Sequence, residues 1–239
     1  EAAERLRGED GTRVSLTVRR QGREIEVDCV RRQVNQVYVS SKTMADGVEY
    51  IKVSAIGSQN DWAAFSEIWE GLDEKNTRAV ILDLRGNGGG VIDIALRMAD
   101  AMTQEAEVYL AGVRWRSDMG GLEQTFSTGG GLPLNQIIVL VDGGTASAAE
   151  LLAGSLQDTG AALLIGEKTY GKGQGQDHFP LVNGDKLVIT TLELELPKQG
   201  CYEGVGLTPD IQIGNREVTV NGAGLSPLDT TRTLRFGDQ

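Results

Sequence analysis

The sequence of 239 residues predicts an α/β fold in which a parallel sheet is covered by helices. Two patterns support this prediction. Short apolar runs, each long enough for one buried strand, alternate along the chain with segments whose apolar residues recur at helical spacing. Several of the strand-like runs end in glycine-rich turns. Such alternation is typical of strand–helix–strand units, whose helices cover both faces of a parallel sheet.

Residues 1–34 predict a small separate unit, a short helix followed by a β-hairpin. Val14, Leu16 and Val18 alternate with polar residues, as in a half-buried strand, and a second strand follows the turn at Gln21–Gly22. A hairpin of this size needs further partners for stability. At the other end, residues 221–239 are polar and predict a tail, or a linker to a possible further domain.

Residues 35–220 predict the larger unit. Trp62, Phe65 and Trp69 lie at helical spacing, and we expect Asn60 or Asp61 to cap the helix that carries them. In chain order the remaining elements are a strand at 48–56, before this helix, a strand at 79–84, a helix at 91–102, a strand at 137–141, a helix at 148–158, and strands at 161–166 and 186–196.

The composition excludes several classes of function. The net charge of −11 comes from 23 basic and 34 acidic residues. Phosphate backbones are bound by clustered Lys and Arg, so this charge argues against nucleic acid as a partner. Two cysteines, Cys29 and Cys201, and a single histidine are too few for a zinc site. No apolar run is long enough to cross a bilayer, so no membrane span is expected in this chain.

Two glycine-rich stretches resemble phosphate-binding motifs, but each lacks a required residue. In residues 83–91, Val91 occupies the place of the third small residue of a dinucleotide fingerprint. In residues 166–176, Gly173 stands where a P-loop needs Ser or Thr for magnesium, and no helix-forming segment follows. A P-loop nucleotide binder is therefore a minor alternative.

Ser147 lies between the strand-like run 137–141 and a helix, and two roles are open for it. With Glu150 it matches a capping box, in which the serine oxygen accepts a backbone N–H. Alternatively, Thr145 caps the helix and the Ser147 hydroxyl is free. The N–H of Ala148 would then lie beside that hydroxyl and form half of an oxyanion hole.

A nucleophilic serine needs a neighbouring base, and the candidates are His178 and Lys172. A lysine acts as a base only when it is neutral, and burial lowers the pKa of a lysine from about 10.4. Lys172 lies between two glycines after a buried strand-like run, so we expect it to be buried. An exposed turn lysine is the alternative that residue type alone favours.

Residues 143–176 resemble the active-site region of the carboxyl-terminal processing peptidases, also called tail-specific proteases. Residues 83–90 resemble the segment that supplies backbone to the oxyanion hole of that family, and residues 204–213 resemble its closing strand. The matching residues of the first segment are Ser147, Ala148, Glu150, Gln157, Asp158, Thr169, Tyr170, Lys172 and Gln176.

This resemblance implies a serine endopeptidase with a Ser-Lys dyad. Ser147 would attack the peptide carbonyl, Lys172 would act as its base, and Gln176 would orient the lysine amine. The backbone N–H groups of Ala148 and Gly89 would hold the oxyanion, with the next glycine as the alternative to Gly89. The implied mechanism requires no metal and no cofactor.

The same resemblance implies the architecture and the partners. Residues 35–220 would form a crotonase/Clp-like spiral core with a mixed sheet and helices. Residues 1–34 resemble the second half of a PDZ domain, which precedes the core in this family. The expected partners are polypeptide substrates with flexible, apolar C-termini, in an extracytoplasmic compartment (periplasmic, secreted or cell-surface). The alternative is a peptide-binding module of the same fold without catalysis.

Overall fold

The computed structural model describes residues 5–32, 36–73, 75–116, 120–134, 136–214, 217–220 and 234–235. The chain divides into two compact units, Glu1–Gln36 and Val37–Gln239, close to the predicted boundary. The predicted tail at 221–239 lies outside the described residues except for 234–235, and the predicted N-terminal helix lies mostly outside them.

The first unit contains the predicted hairpin. β1 (Arg13–Arg20) and β2 (Arg23–Val30) pair antiparallel across the turn at Gln21–Gly22. One face of the hairpin is apolar, and the opposite face carries an ion pair between Arg19 and Glu24. Alternate residues of a strand share one face, and on the apolar face of this hairpin three pairs lie opposite each other across the two strands: Val14 and Cys29, Leu16 and Val27, Val18 and Ile25. The assignment of this unit to a PDZ domain stays a prediction.

The second unit contains the remaining strands. In chain order they are β3 (Val39–Thr43), β4 (Val48–Val53), β5 (Ala79–Asp83), β6 (Ala106–Trp115), β7 (Leu122–Thr128), β8 (Ile137–Val141), β9 (Leu163–Gly166), β10 (Gln174–Pro180), β11 (Lys186–Leu196), β12 (Gly200–Cys201), β13 (Ile211–Gly214), β14 (Glu217–Val220) and β15 (Leu234–Arg235).

Eight strands form a mixed sheet in the order β15-β14-β13-β9-β8-β5-β4-β3. The central strands β13, β9, β8, β5 and β4 run parallel, as the strand–helix alternation predicts. The outer strands pair antiparallel. Because the carboxyl ends of parallel strands meet at one edge of a sheet, the loops after β5, β8 and β9 come together there.

A second, antiparallel sheet has the order β10-β11-β6-β7, with β12 paired to β11. The sequence did not predict β6 and β7. In β6 the four consecutive residues 110–113 are buried, so the alternation that marks a half-buried strand is missing. β7 is mostly exposed and polar.

Three α-helices of the second unit are described: α1 (Gln59–Glu70), α2 (Ile92–Met102) and α3 (Ala148–Thr159). α3 contacts β9 of the mixed sheet and both β6 and β11 of the second sheet, which is why residues 148–156 are buried on every side. No helix in the described ranges is long and apolar enough to span a membrane. The crotonase-like spiral stays a prediction.

The N-cap of α1 differs from the expectation. Ser58, and neither Asn60 nor Asp61, is the cap residue: its side chain accepts from the N–H of Asn60 at 3.3 Å. Asp61 is the third residue of the helix, and its carboxylate accepts from the N–H groups of Ser58 and Gly57. This is a capping box, whose serine lies two positions before Asn60 and three before Asp61.

Candidate active site

Ser147 occupies a strained turn between β8 and α3. Its backbone angles are φ 59° and ψ −125°, a region that costs a non-glycine residue on the order of 1–3 kcal/mol. Ser147 is the N-cap residue of α3, so the alternative in which Thr145 caps the helix is wrong. Thr145 is buried, and its hydroxyl donates to Leu84 O at 2.9 Å. The turn therefore presents Ser147 at the helix N-terminus, at the edge where the loops converge.

Neighbouring groups hold this turn on both sides of Ser147. The N–H of Ala146 donates to Asn87 O at 2.9 Å, in the loop after β5. The hydroxyl of Tyr202 donates to Ser147 O at 3.2 Å. Burial, followed by the charge of Glu150, raises the pKa of Tyr202 well above its ordinary value, so the phenol stays protonated and keeps its donor.

Glu150 links the Ser147 turn to the loop that carries Lys172. Its carboxylate is completely buried, and its Oε2 atom accepts from Ser147 N at 2.9 Å and from Lys172 N at 2.8 Å. The two backbone nitrogens are therefore at most 5.7 Å apart, the sum of these two distances. The Oε1 atom accepts from the Thr169 hydroxyl and from Gly171 N. One carboxylate thus fixes both segments.

No hydrogen bond joins the side chains of Lys172 and Gln176 among the described residues. Both residues are exposed, and within the described ranges neither Lys172 Nζ nor the Gln176 amide has a hydrogen-bond partner. The expected burial of Lys172 is wrong, because the residue belongs to a surface loop leading into the outer strand of the second sheet. Hydrogen bonds among catalytic groups are often long or absent before substrate binds.

Gly89 lies directly against the Ser147 turn. With φ +95°, a Cβ atom here would be 2.7 Å from Ala146 O, 2.8 Å from Ser147 Cβ and 2.9 Å from Ala148 N. The N–H of Gly89 donates to Asn87 Oδ1 at 2.9 Å, so it is engaged in this structure. The N–H of Ala148 is the first of α3 and has no partner within the helix.

The residues that follow Lys172 exclude a P-loop. β10 begins at Gln174, where a phosphate-binding loop would continue into a helix.

Cys29 and Cys201 are unpaired and exposed. Among the residues that the structure describes, no three His, Cys, Asp or Glu side chains form a group that could hold a metal ion.

Comparison with known proteins agrees with this arrangement. The model of peptidase family S41 matches residues 47–213. The chain belongs to peptidase family S41. The resemblance of the larger unit is thereby confirmed, and with it membership of a family of serine-type peptidases.

Several relatives of this S41 chain are carboxyl-terminal-processing enzymes. It is 32% identical over 217 residues to the carboxyl-terminal-processing protease of Synechocystis sp., covering 88% of this chain and 49% of that protein. It is 33% identical over 222 residues to the chloroplastic carboxyl-terminal-processing peptidase 2 of Arabidopsis thaliana, covering 88% and 42%. The S41 chain thus spans about half the length of the curated relatives it matches.

Solved structures show the same fold. The photosystem II D1 C-terminal processing protease superposes with a TM-score of 0.65 at 25% identity, covering 89% of this chain and 58% of that one. Mature CPAF superposes with a TM-score of 0.55 at 16% identity, covering 87% and 63%, a likeness of fold alone.

Two buried polar residues of the S41 site had no role in the sequence prediction. Asn87 donates through Nδ2 to Val53 O at 2.9 Å and accepts from Gly89 N, which fixes the loop beside Ser147. Tyr202 is completely buried and reaches Ser147 O. Asn87 could have been found from the sequence, because it lies in the segment 83–90 that resembles the oxyanion segment of the family. No pattern in the sequence pointed to Tyr202.

Asp83 anchors the start of the same loop. Its carboxylate is buried at the end of β5 and accepts from the Arg85 guanidinium, the Tyr50 hydroxyl and, at 3.3 Å, Lys52 Nζ. Burial alone would raise the pKa of Asp83, but the hydrogen bonds from Arg85 and Tyr50 and the charge of Lys52 outweigh it and hold that pKa below its ordinary value.

Proposed function

We propose that this S41 chain is a serine endopeptidase that cleaves flexible polypeptides, with Ser147 as nucleophile and Lys172 as base. The observation that most supports the proposal is the shared contact with Glu150, whose Oε2 atom accepts from the backbone N–H groups of both residues. This contact keeps the two segments together although 25 residues separate them in sequence, the difference between 172 and 147.

The chemistry follows from these positions. Ser147 Oγ attacks the peptide carbonyl carbon while neutral Lys172 takes the hydroxyl proton, and the lysine then passes this proton to the leaving amine. Water, activated by the same base, hydrolyses the acyl-enzyme. The N–H of Ala148 and an N–H of the segment that contains Gly89 hold the oxyanion. The Gln176 amide orients the lysine amine.

The substrate class is part of the same proposal. The names of the relatives refer to carboxyl-terminal processing, and we propose recognition of this chain's substrates near an apolar C-terminus, through a PDZ domain to which residues 1–34 belong. Flexible chains are expected because a scissile segment must be extended to reach a catalytic serine held in a turn. We also propose an extracytoplasmic location, since the relatives include bacterial and chloroplastic processing enzymes.

One observation favours a second function, a peptide-binding module without catalysis. Lys172 is exposed, whereas a lysine that takes a proton from serine has to be neutral, a state that burial favours. In the peptidase proposal, bound substrate covers this lysine. In the module, the lysine contributes only to binding.

Cleavage of a disordered protein separates the two functions. Products are identified by intact mass, with Ser147→Ala as the matched control, since it removes only the hydroxyl oxygen. We expect new C-termini with the wild-type chain and none with Ser147→Ala. Binding of the disordered protein by both chains, without new termini from either, would support the module and contradict the peptidase.

A further inference from the structure

The outer edge of β10 is an unpaired strand edge beside the candidate active site. β10 is the last strand of the second sheet and pairs only with β11 in the part of the chain that the structure describes. It begins at Gln174, two residues after Lys172, and continues to Pro180. A chain bound along this edge would therefore lead directly to the catalytic loop.

Two hydrogen bonds determine which backbone groups face outward. Gly173 O accepts from Leu194 N at 2.7 Å, and Leu181 N donates to Asp185 O at 2.8 Å. In an antiparallel pair, successive residues alternate between facing the partner strand and facing away from it. The register shifts between Gly175 and Gln176, but the extra residue, Thr191, belongs to β11, so the alternation along β10 continues and the odd-numbered residues from 173 to 181 face β11. The N–H and C=O groups that face outward belong to Gln174, Gln176 and His178.

No described strand covers this edge, which leaves it open to strand addition. Exposed edges are usually blunted by charged side chains, prolines or covering segments. Among the described strands β10 pairs with β11 alone, so the backbone N–H groups of Gln174, Gln176 and His178, which face away from β11, meet no partner strand. Pro180 ends the edge, and its nitrogen faces outward, as is typical of a proline in an edge strand.

We propose that the polypeptide substrate adds to the outer edge of β10 as a further strand, an inference that rests on the proposed peptidase function. We assign the substrate to this edge because the edge continues into the loop that carries Lys172. A strand paired there lies over this exposed loop and reduces the access of water to the lysine amine. Recognition through backbone groups also tolerates many side chains, as a protease of flexible chains requires.

A proline at position 178 tests this inference. His178→Pro removes the outward N–H without removing a hydrogen bond to β11, whereas His178→Ala, the matched reference, keeps that N–H. We expect kcat/KM for a disordered substrate to be roughly five- to tenfold lower for His178→Pro than for His178→Ala, as expected when one backbone hydrogen bond is lost. Equal kcat/KM values at equal melting temperatures would overturn the inference.

A second measurement applies if His178→Pro is unstable. A peptide substrate is methylated at one backbone nitrogen at a time, and its binding to Ser147→Ala is followed by fluorescence anisotropy. Strand pairing predicts that methylation weakens binding at every second position of the peptide. Methylation that weakens binding equally at adjacent positions would overturn the inference. This binding assay is separate from cleavage, so failure of the peptidase proposal appears only as absent cleavage by the wild-type chain.

The same variant distinguishes a competing occupant. If the edge instead pairs with β10 of a second copy, His178→Pro should convert a dimer to a monomer in sedimentation experiments. A shift of this kind with unchanged peptide binding would overturn the proposal in favour of an interface between copies. Unchanged sedimentation together with weaker peptide binding supports it.

Discussion

The backbone N–H groups of Ser147 and Lys172 converge on one carboxylate oxygen, at 2.9 and 2.8 Å. The carboxylate is that of Glu150, and all four of its hydrogen-bond partners are donors. A capping-box residue, whose usual role is to stabilise a helix end, therefore also sets the distance between the proposed nucleophile and its base.

Glu150→Gln should impair catalysis more than substrate binding. The glutamine amide has one acceptor oxygen, so its NH2 group must face two donors, and at least one buried donor loses its partner. Such a loss costs about 1–3 kcal/mol. We expect kcat to fall at least about tenfold with little change in KM, and the melting temperature to fall. Steady-state kinetics and thermal denaturation measure both. Normal kcat with a lowered melting temperature would limit Glu150 to a structural role.

Gly89→Ala and Gly88→Ala form a matched pair. A Cβ atom at Gly89 would meet Ser147 and Ala148 at less than 3 Å, in a backbone conformation that side chains rarely adopt, whereas a Cβ at Gly88 has open space. Because displacement of a catalytic group by about 1 Å can lower a rate a hundredfold, we expect Gly89→Ala to lower kcat by about a hundredfold or more, and Gly88→Ala to change it little. The variants are compared by kcat and by melting temperature. Similar losses in both would contradict the special position of Gly89.

The loss of activity in Gly89→Ala has to be attributed to displacement of the turn. The family resemblance implied that the N–H of Gly89 is an oxyanion donor, which a bulky substitution at Gly89 would then be expected to test. The structure shows that its N–H already donates to Asn87 and that any side chain displaces Ser147. The substitution therefore tests the geometry of the turn and does not distinguish a donor at Gly89 from one at the next glycine.

Asp83→Asn should reduce stability in a pH-dependent way. The folded-state pKa of Asp83 lies below its ordinary value, so its contribution is present above the unfolded pKa of about 3.9 and is lost as pH falls towards the folded value. We expect the difference in melting temperature between wild type and Asp83→Asn to be largest near neutral pH and to narrow below about pH 4. A constant difference from pH 7 to pH 2 would contradict this account.

Recognition of the substrate's C-terminus is tested by comparing two tails. If residues 1–34 are the second half of a PDZ domain, residues 1–239 alone should discriminate little between a free and an amidated apolar C-terminus. A longer polypeptide with the whole PDZ domain should prefer the free C-terminus. Cleavage rates of one disordered protein with each tail provide the comparison. Equal preference in the shorter and longer polypeptides would mean that residues 1–34 do not belong to a tail-reading domain.

Local patterns predicted the helices and the parallel strands, because the periodicity that marks them lies within each segment. They did not predict β6, whose buried residues are consecutive, or the contact of Tyr202 with Ser147, which joins residues 55 apart. The burial of Lys172 was wrong for a related reason. Whether a loop is covered depends on which strands pack beside it, and the neighbouring β10 is an edge strand. Family resemblance predicted the site residues, and only the fold shows which groups hold their backbone in place.

The measurement that tests the Ser-Lys account most directly is the rate at which four chains cleave one disordered protein: wild type, Ser147→Ala, Lys172→Ala and Lys168→Ala. Lys168 is an exposed lysine of the same loop and controls for the loss of a positive charge. The account predicts at least a thousandfold lower rates for Ser147→Ala and Lys172→Ala, a near wild-type rate for Lys168→Ala, and no effect of a chelator. Cleavage that survives in Lys172→Ala, but is lost in a folded His178→Ala, would contradict it.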